Sequence, residues 1–216
     1  MVPTLLRTRP SMCSDDTVRF VDCLAQARAG DVAILGKLLD RYRNYLALLA
    51  RLQIGRRLQG KMDAVDLVQD TFLEAHRDFP HFRGQSEGEL VSWLRRILVR
   101  NLANALRHYF GTQGRDIRLE RELSAEIDQS SQVLDRGLIA PISSPSQQAS
   151  QREQVVLLAD ALGRLPEDYR ETIILRHLEG LTFPEVAQRL GKTVDSVEKL
   201  WARGLAQLRE LLKAQT

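Results

Sequence analysis

The sequence predicts an all-α protein made of two helical domains joined by a flexible linker. Three observations carry this. Apolar residues recur at the helical period over almost the whole chain. No run alternates β-branched and polar residues in the manner of a strand. The periodicity lapses once, over residues 124–150, where Ser, Gln and Pro take over. The resulting order is a tail over 1–16, a first domain over 17–112, a linker over 113–149 and a second domain over 150–214.

Residues 17–29 form the first expected helix, which Gly30 stops. Asp31 caps a second, reaching residue 54, with Leu35, Leu38, Leu39, Tyr42, Leu46 and Leu49 on one face. Gly55 to Lys61 is basic and reads as a loop or helix end. A third helix covers 64–78 and ends before Pro80. Asp63, Asp66, Asp70 and Glu74 line one face of it at steps of three or four, and Val65, Val68, Phe72, Ala75 and Phe79 give an apolar stripe. Like charges at that spacing are mildly unfavourable in an isolated helix, a cost that a basic partner would offset.

A fourth helix is expected over 89–109. From Leu90 to Arg115 there are five arginines and no acid. Arg96, Arg100, Asn104 and Arg107 share a face, with Asn101 beside it and Leu94, Ile97, Leu98 and Leu102 opposite. Arginine neutralises phosphate and asparagine pairs with adenine edges, so this face suits nucleic acid. The preceding loop, residues 79–86, combines aromatics with His81, Arg83 and small polar residues, a mixture able to stack and hold unpaired bases.

Beyond the linker, helices are expected over 150–163, 167–178, 183–190 and 194–213. Thr182 and Glu185 have capping-box spacing, Pro184 suits a first turn, and Gly191 supplies a left-handed stop. Val186, Ala187 and Leu190 face inward from the shorter helix. Thr193 caps the longer one, whose inward residues are Val194, Val197, Trp201, Leu205 and Leu208. A short helix, a glycine turn and a longer helix make a helix-turn-helix, whose second helix presents its first residues to the major groove. Lys192, Thr193, Asp195, Ser196, Lys199 and Arg203 are the candidates there.

Composition excludes several classes. The chain has 216 residues, 44% hydrophobic and 27% charged, with a formal net charge of +3. That supports globular domains and permits a nucleic-acid partner. Cys13 and Cys23 have neither metal-ligand spacing nor a neighbouring histidine, and fit a reduced cytoplasmic compartment. No apolar window is long enough for a membrane span, so no membrane contact of its own is expected. The four histidines are dispersed, and neither a phosphate-binding glycine loop nor a paired catalytic carboxylate occurs. The sequence thus offers no catalytic residue, metal site or cofactor, and the chain reads as a binding protein rather than an enzyme.

Asp66-Leu67-Val68-Gln69-Asp70-Thr71-Phe72 resembles the D-L-V-Q-E-T-F signature of sigma domain 2. Phe82, Arg83, Gly84, Trp93, Leu94, Ile97 and Asn101 continue the likeness. Leu165, Pro166, Glu167, Arg170 and Glu171, then Leu178 to Thr182, Glu185 to Ala187, Leu190 and Gly191, resemble sigma domain 4. In that order the two resemble the extracytoplasmic-function (ECF) sigma factors. The chain departs from the family at Glu198, where Lys or Arg is frequent, and near Leu200 and Leu205, where Arg is. The resemblance implies a factor that binds core RNA polymerase through its β′ and β subunits and directs promoter-specific initiation in a stress or envelope response. It makes Asp66, Leu67, Gln69 and Asp70 polymerase-docking residues. His81, Arg83, Arg96, Arg100, Asn101, Asn104 and Arg107 would read the −10 element, and the helix-turn-helix residues the −35 element. Promoter DNA and an anti-sigma factor are the other partners it implies. The competing reading is a stand-alone helix-turn-helix repressor or activator.

Overall fold

In the computed structural model, which describes residues 12–57, 62–110, 117–137 and 145–214, every regular element is helical. Residues 1–11 of the expected tail, part of the basic stretch before Lys61, and linker residues 113–116 and 138–144 lie outside the described residues.

Helix α1 (Met12–Arg28) ends at Gly30, whose φ of +100° is left-handed. Helix α2 (Val32–Asp40) starts at Asp31, whose carboxylate accepts from the Ala33 and Ile34 amides at 3.0 Å. The single helix expected over 31–54 is two. The chain tightens at Arg41 and Tyr42, where the Tyr42 amide donates to the Leu39 carbonyl at 3.0 Å, before α3 (Arg43–Arg57) resumes. The break puts the wholly buried Tyr42 against the next layer, where its hydroxyl donates to Glu87 at 2.7 Å. Burial and the neighbouring Glu87 charge push that hydroxyl's pKa up, so it stays a proton donor.

Helix α4 (Ala64–Asp78) is capped by Asp63, which accepts from the Val65 amide at 2.9 Å. It packs between α3 and α5 (Glu87–Phe110) and buries Ala64, Leu67, Val68, Thr71 and Ala75. The expected apolar stripe is therefore rotated. Val65 is exposed and Phe72 only half-buried, because contact with two neighbours turns Leu67 and Thr71 inward instead. The buried Thr71 hydroxyl donates back to the Leu67 carbonyl at 2.8 Å, which satisfies it. Leu94, Ile97, Leu98 and Leu102 of α5 are buried, as their spacing predicts.

The largest departure lies in the segment read as a linker. Helix α6 (Ile117–Gly137) packs on α5 and α3 with Leu123, Ile127 and Leu134 wholly buried. Those three leucine and isoleucine positions form a helical stripe inside a serine- and glutamine-rich segment. The serines are used as well: Ser131 shares a hydrogen bond with the Tyr45 hydroxyl at 3.0 Å and accepts from Arg95 at 2.8 Å.

Helices α7 (Pro145–Arg164) and α8 (Glu167–Ile173) lead into a wider π turn, Ile174–Leu178, closed by Gly180 at φ +74°. Helices α9 (Phe183–Leu190) and α10 (Val194–Lys213) follow, hinged at Gly191 with φ +62°. Val186, Ala187, Val197 and Leu175 form their small core. Gly204 lets α10 approach α8 closely, since a Cβ there would lie 3.1 Å from both Tyr169 and Ile173 side-chain atoms. The C-terminal unit meets the first domain along α3. Asn44 donates to Asp160 at 2.8 Å, and Arg51 to Glu171 at 3.0 Å.

Candidate polymerase and nucleic-acid interfaces

The outer face of α4 carries Asp66, Gln69 and Asp70, all exposed. Among the described residues neither aspartate has an ion-pair partner. Two apolar side chains share this surface, Val65 at 40% exposure and Leu73 at 71%. Leu67, grouped with the docking residues on sequence grounds, is 1% exposed and belongs to the core. Its step along the helix points it between α3 and α5, so it supports the face from beneath. The acidic stripe is also shorter than its spacing suggests. Asp63 serves as the cap, and Glu74 is drawn toward α5 by Arg100. Leu73 has no polar signal; only the rotated core stripe reveals it.

The loop before α5 is built on aromatics. Phe79, Phe82 and Trp93 pack with centroids 4.9 to 6.3 Å apart. Arg28 lies 5.9 Å over the Phe82 ring and donates to the Gly84 carbonyl, tying the loop to α1. Arg83 donates to the Pro80 carbonyl at 3.0 Å, and His81 is exposed. A capping box fixes the loop to α5. Glu89 accepts from the Gln85 amide, the Ser86 amide and the Ser86 hydroxyl at 2.8 to 2.9 Å, which holds its pKa below the usual carboxylate value. The Ser86…Glu89 spacing is this box's signal in the sequence. Beside the loop, a cavity of about 380 Å³ is lined by Arg28, Leu35, His76, Phe79, Phe82 and Arg83 among others.

On α5, Arg96 and Asn104 are exposed, but the other candidates are engaged. Arg100 pairs with Glu74 and, at 3.5 Å, with Asp78. Asn101 donates to Thr71 at 3.4 Å and leans inward. Arg107 bonds Asn104 and reaches Glu120 of α6 at 3.8 Å, with its side chain 15% exposed. Arg96, Arg100 and Asn104 therefore remain on one face, and Arg107 turns toward α6.

In the helix-turn-helix, Glu185 accepts the amide and the hydroxyl of Thr182, each at 2.7 Å. Thr193 accepts from the Ser196 amide at 3.3 Å. Asp195, Lys199 and Arg203 are exposed, Ser196 is half-buried, and Lys199 pairs with Asp195 at 2.7 Å. Lys192 pairs with Asp168 of α8 at 3.3 Å. Exposed pairs of this kind contribute little, so a phosphate can displace either carboxylate. Val194, read as inward, is 39% exposed because it opens the helix ahead of the buried Val197.

Residues 39–109 match the family model described as "Sigma-70 region 2", and residues 156–208 match "Sigma-70, region 4". The ECF RNA polymerase sigma-E factor of Haemophilus influenzae is 30% identical over 173 residues, 80% of this chain and 84% of that one. The chain belongs to the ECF sigma factors. The RNA polymerase sigma factor NccH of Alcaligenes xylosoxydans xylosoxydans is likewise 30% identical, over 88% of this sigma factor and 92% of its own length. Among solved structures, CnrH in complex with the cytosolic domain of CnrY aligns at 26% identity over 90% of this chain and 97% of that one, with a TM-score of 0.31. Among the described residues, no helix is long and apolar enough to cross a membrane.

One contact ties α10 to a titratable group. Trp201 Nε1 donates to His177 Nε2 at 2.9 Å, and only a neutral imidazole can accept. Partial burial and then the nearby Arg176 charge lower the His177 pKa. A lowered value means the contribution is present above the ordinary histidine value near 6.5 and is lost as pH falls through the lowered one. Urea unfolding followed by Trp201 fluorescence is expected to give a lower midpoint at pH 5 than at pH 7.5. His177→Gln, which keeps an acceptor without the titration, is expected to flatten that difference.

Proposed function

We propose that the faces described above divide the work of promoter-directed initiation. Asp66, Gln69 and Asp70, with Val65 and Leu73, dock on a basic surface of the polymerase β′ subunit. Arg96, Arg100, Asn101, Asn104 and Arg107, with His81 and Arg83 of the loop, take the −10 element. Lys192, Thr193, Asp195, Ser196, Lys199 and Arg203 take the −35 element, with the β subunit beneath the C-terminal domain. The observation that carries the reading is the outer face of α4, where two carboxylates without an ion-pair partner among the described residues lie between exposed apolar side chains. A stand-alone repressor would leave that surface without a use.

The chemistry is recognition without covalent steps. Polymerase places two weak DNA readers on one body, and each raises the effective concentration of the other. Strand opening costs a few kcal/mol for each flipped base. The cavity beside the aromatic loop, lined in part by Phe79, Phe82 and Arg83, would offset this by receiving an unstacked base. Easily deformed pyrimidine–purine steps would lower the cost further. An anti-sigma factor holding the protein inactive in the cytoplasm completes the proposal.

The deciding experiment adds the protein to core RNA polymerase with a pool of promoter fragments and maps transcript starts. Specific starts that require the protein support the reading. Tight binding to duplex DNA without polymerase, and no new starts, would replace it with the repressor reading.

A further inference from the structure

A second cavity, of about 330 Å³, lies among α3, α5, α6 and α7. That is the small end of the range for ligand pockets, about 300 to 1,000 Å³. None of its lining residues belongs to the polymerase or DNA faces described above. One side is apolar, formed by the buried Val155 and Val156 of α7 and the half-buried Val91 of α5.

The polar side centres on Arg95, whose side chain is 22% exposed. Its Nη1 donates to the Ser131 hydroxyl at 2.8 Å and its Nη2 to the Ser92 hydroxyl at 3.4 Å, and both partners are neutral. Its Nε is buried with no hydrogen-bond partner among the described residues. The carboxylate of Asp128 stands 3.6 Å from Nη2, too far for a hydrogen bond. A guanidinium withdrawn this far from water calls for a carboxylate bonded directly to it, through two parallel N–H groups where the geometry allows. Arg95 has the charge of Asp128 nearby and lacks that bond.

The other charges of the cavity narrow the ligand. Glu87, whose Oε1 accepts from Tyr42, also lines it, so two carboxylates accompany one guanidinium. A simple anion would meet net negative charge there, and a simple cation would meet Arg95. A molecule with both charges on neighbouring atoms suits Arg95 and Asp128 together, since they lie 3.6 Å apart. An α-amino acid has that form. Its carboxylate would fork onto the terminal nitrogens of Arg95, and its ammonium would take the displaced Asp128. An aliphatic side chain would then lie along Val91, Val155 and Val156.

We propose that this cavity is a binding site for a small aliphatic zwitterion of the branched-chain amino acid kind. Binding there couples the stability of the protein to the concentration of that molecule. The site does not depend on the promoter reading and would stand without it.

The probe is L-leucine, titrated into the full chain while the Arg95 Nε–H resonance and the Ser92 and Ser131 amides are followed by NMR. A shift of all three that saturates in the millimolar range is expected. Isocaproate lacks the ammonium and isopentylamine lacks the carboxylate, so each is expected to bind about tenfold more weakly. Arg95→Gln is expected to remove leucine binding, but it also removes contacts to α6. Asp128→Asn changes a half-exposed side chain and leaves the packing in place. It is expected to weaken leucine about tenfold and to strengthen isocaproate, opposite signs that a loss of structure would not give. No saturable shift with leucine overturns the proposal, as do shifts that spare Arg95, Ser92 and Ser131. Isocaproate binding as tightly as leucine would make this an anion site, and isopentylamine doing so a cation site; either overturns it. Unchanged leucine affinity in Asp128→Asn overturns it too.

Discussion

The double variant Asp66→Lys with Asp70→Lys is expected to bind core polymerase about 100-fold more weakly and to lose specific transcript starts. Both carboxylates are exposed on α4 with no ion-pair partner among the described residues, so neither is needed to hold the fold. An exposed ion pair contributes at most about 1 kcal/mol, and reversal turns attraction into a repulsion of similar size. At about 0.7 kcal/mol lost and as much again in repulsion per site, two sites give about 2.8 kcal/mol, which is the expected factor at roughly tenfold per 1.4 kcal/mol. The loss should shrink as salt rises, since exposed charges are screened over about 8 to 10 Å near physiological ionic strength. Thermal unfolding should change little, because the core residues Leu67, Val68 and Ala75 are untouched. Leu73→Asp tests the apolar part of the same surface, and its effect should persist at high salt. Wild-type affinity in the double variant would take α4 out of the interface.

Gly84→Ala is expected to disable strand opening while leaving polymerase binding in place. A Cβ at Gly84 would lie 2.6 Å from Phe82 Cε2 and 2.8 Å from Glu89 Cβ, closer than atoms can approach. Phe82 must swing out, or the capped start of α5 must shift. Either movement breaks the Phe79–Phe82–Trp93 packing and reshapes the cavity beside it. Overpacking of this kind costs about 1 to 3 kcal/mol. Permanganate footprinting should show at least about fivefold less unpaired thymine at the −10 element, and Trp93 emission should shift. Core polymerase affinity should stay within about twofold, because the loop lies away from the α4 surface and only a few tenths of a kcal/mol are at stake there. Normal footprints would exclude the aromatic loop from strand capture.

What the sequence made legible is local. Thr182 with Glu185, Gly191 and Thr193 specify the helix-turn-helix by signals that need no distant partner. The limits of α4 follow equally from Asp63 and Pro80. Features that depend on a third element were hidden. The spacing of α4 fits two overlapping stripes, and only its position between α3 and α5 selects Leu67 over Val65. The break at Tyr42 depends on Glu87, 45 residues away. The stripe of α6 is sparse, and its serines look like those of a tether until Tyr45 and Arg95 are set against Ser131. The ion pair Arg100–Glu74 joins charges that the sequence assigns to separate tasks, and Lys192 finds its carboxylate in Asp168, 24 residues away.

Those pairs change what the salt dependence of DNA binding measures. Arg100, Lys192 and Lys199 each arrive with a carboxylate of the protein already beside them. When such a cation turns to a phosphate, the DNA releases its counterion, but the abandoned carboxylate recruits one. The net number of ions released is then smaller than the number of phosphates contacted. A count of contacts taken from the slope of affinity against salt would fall short by about one for each internally neutralised cation. Arg96 and Arg203, exposed and without a carboxylate partner among the described residues, would contribute in full.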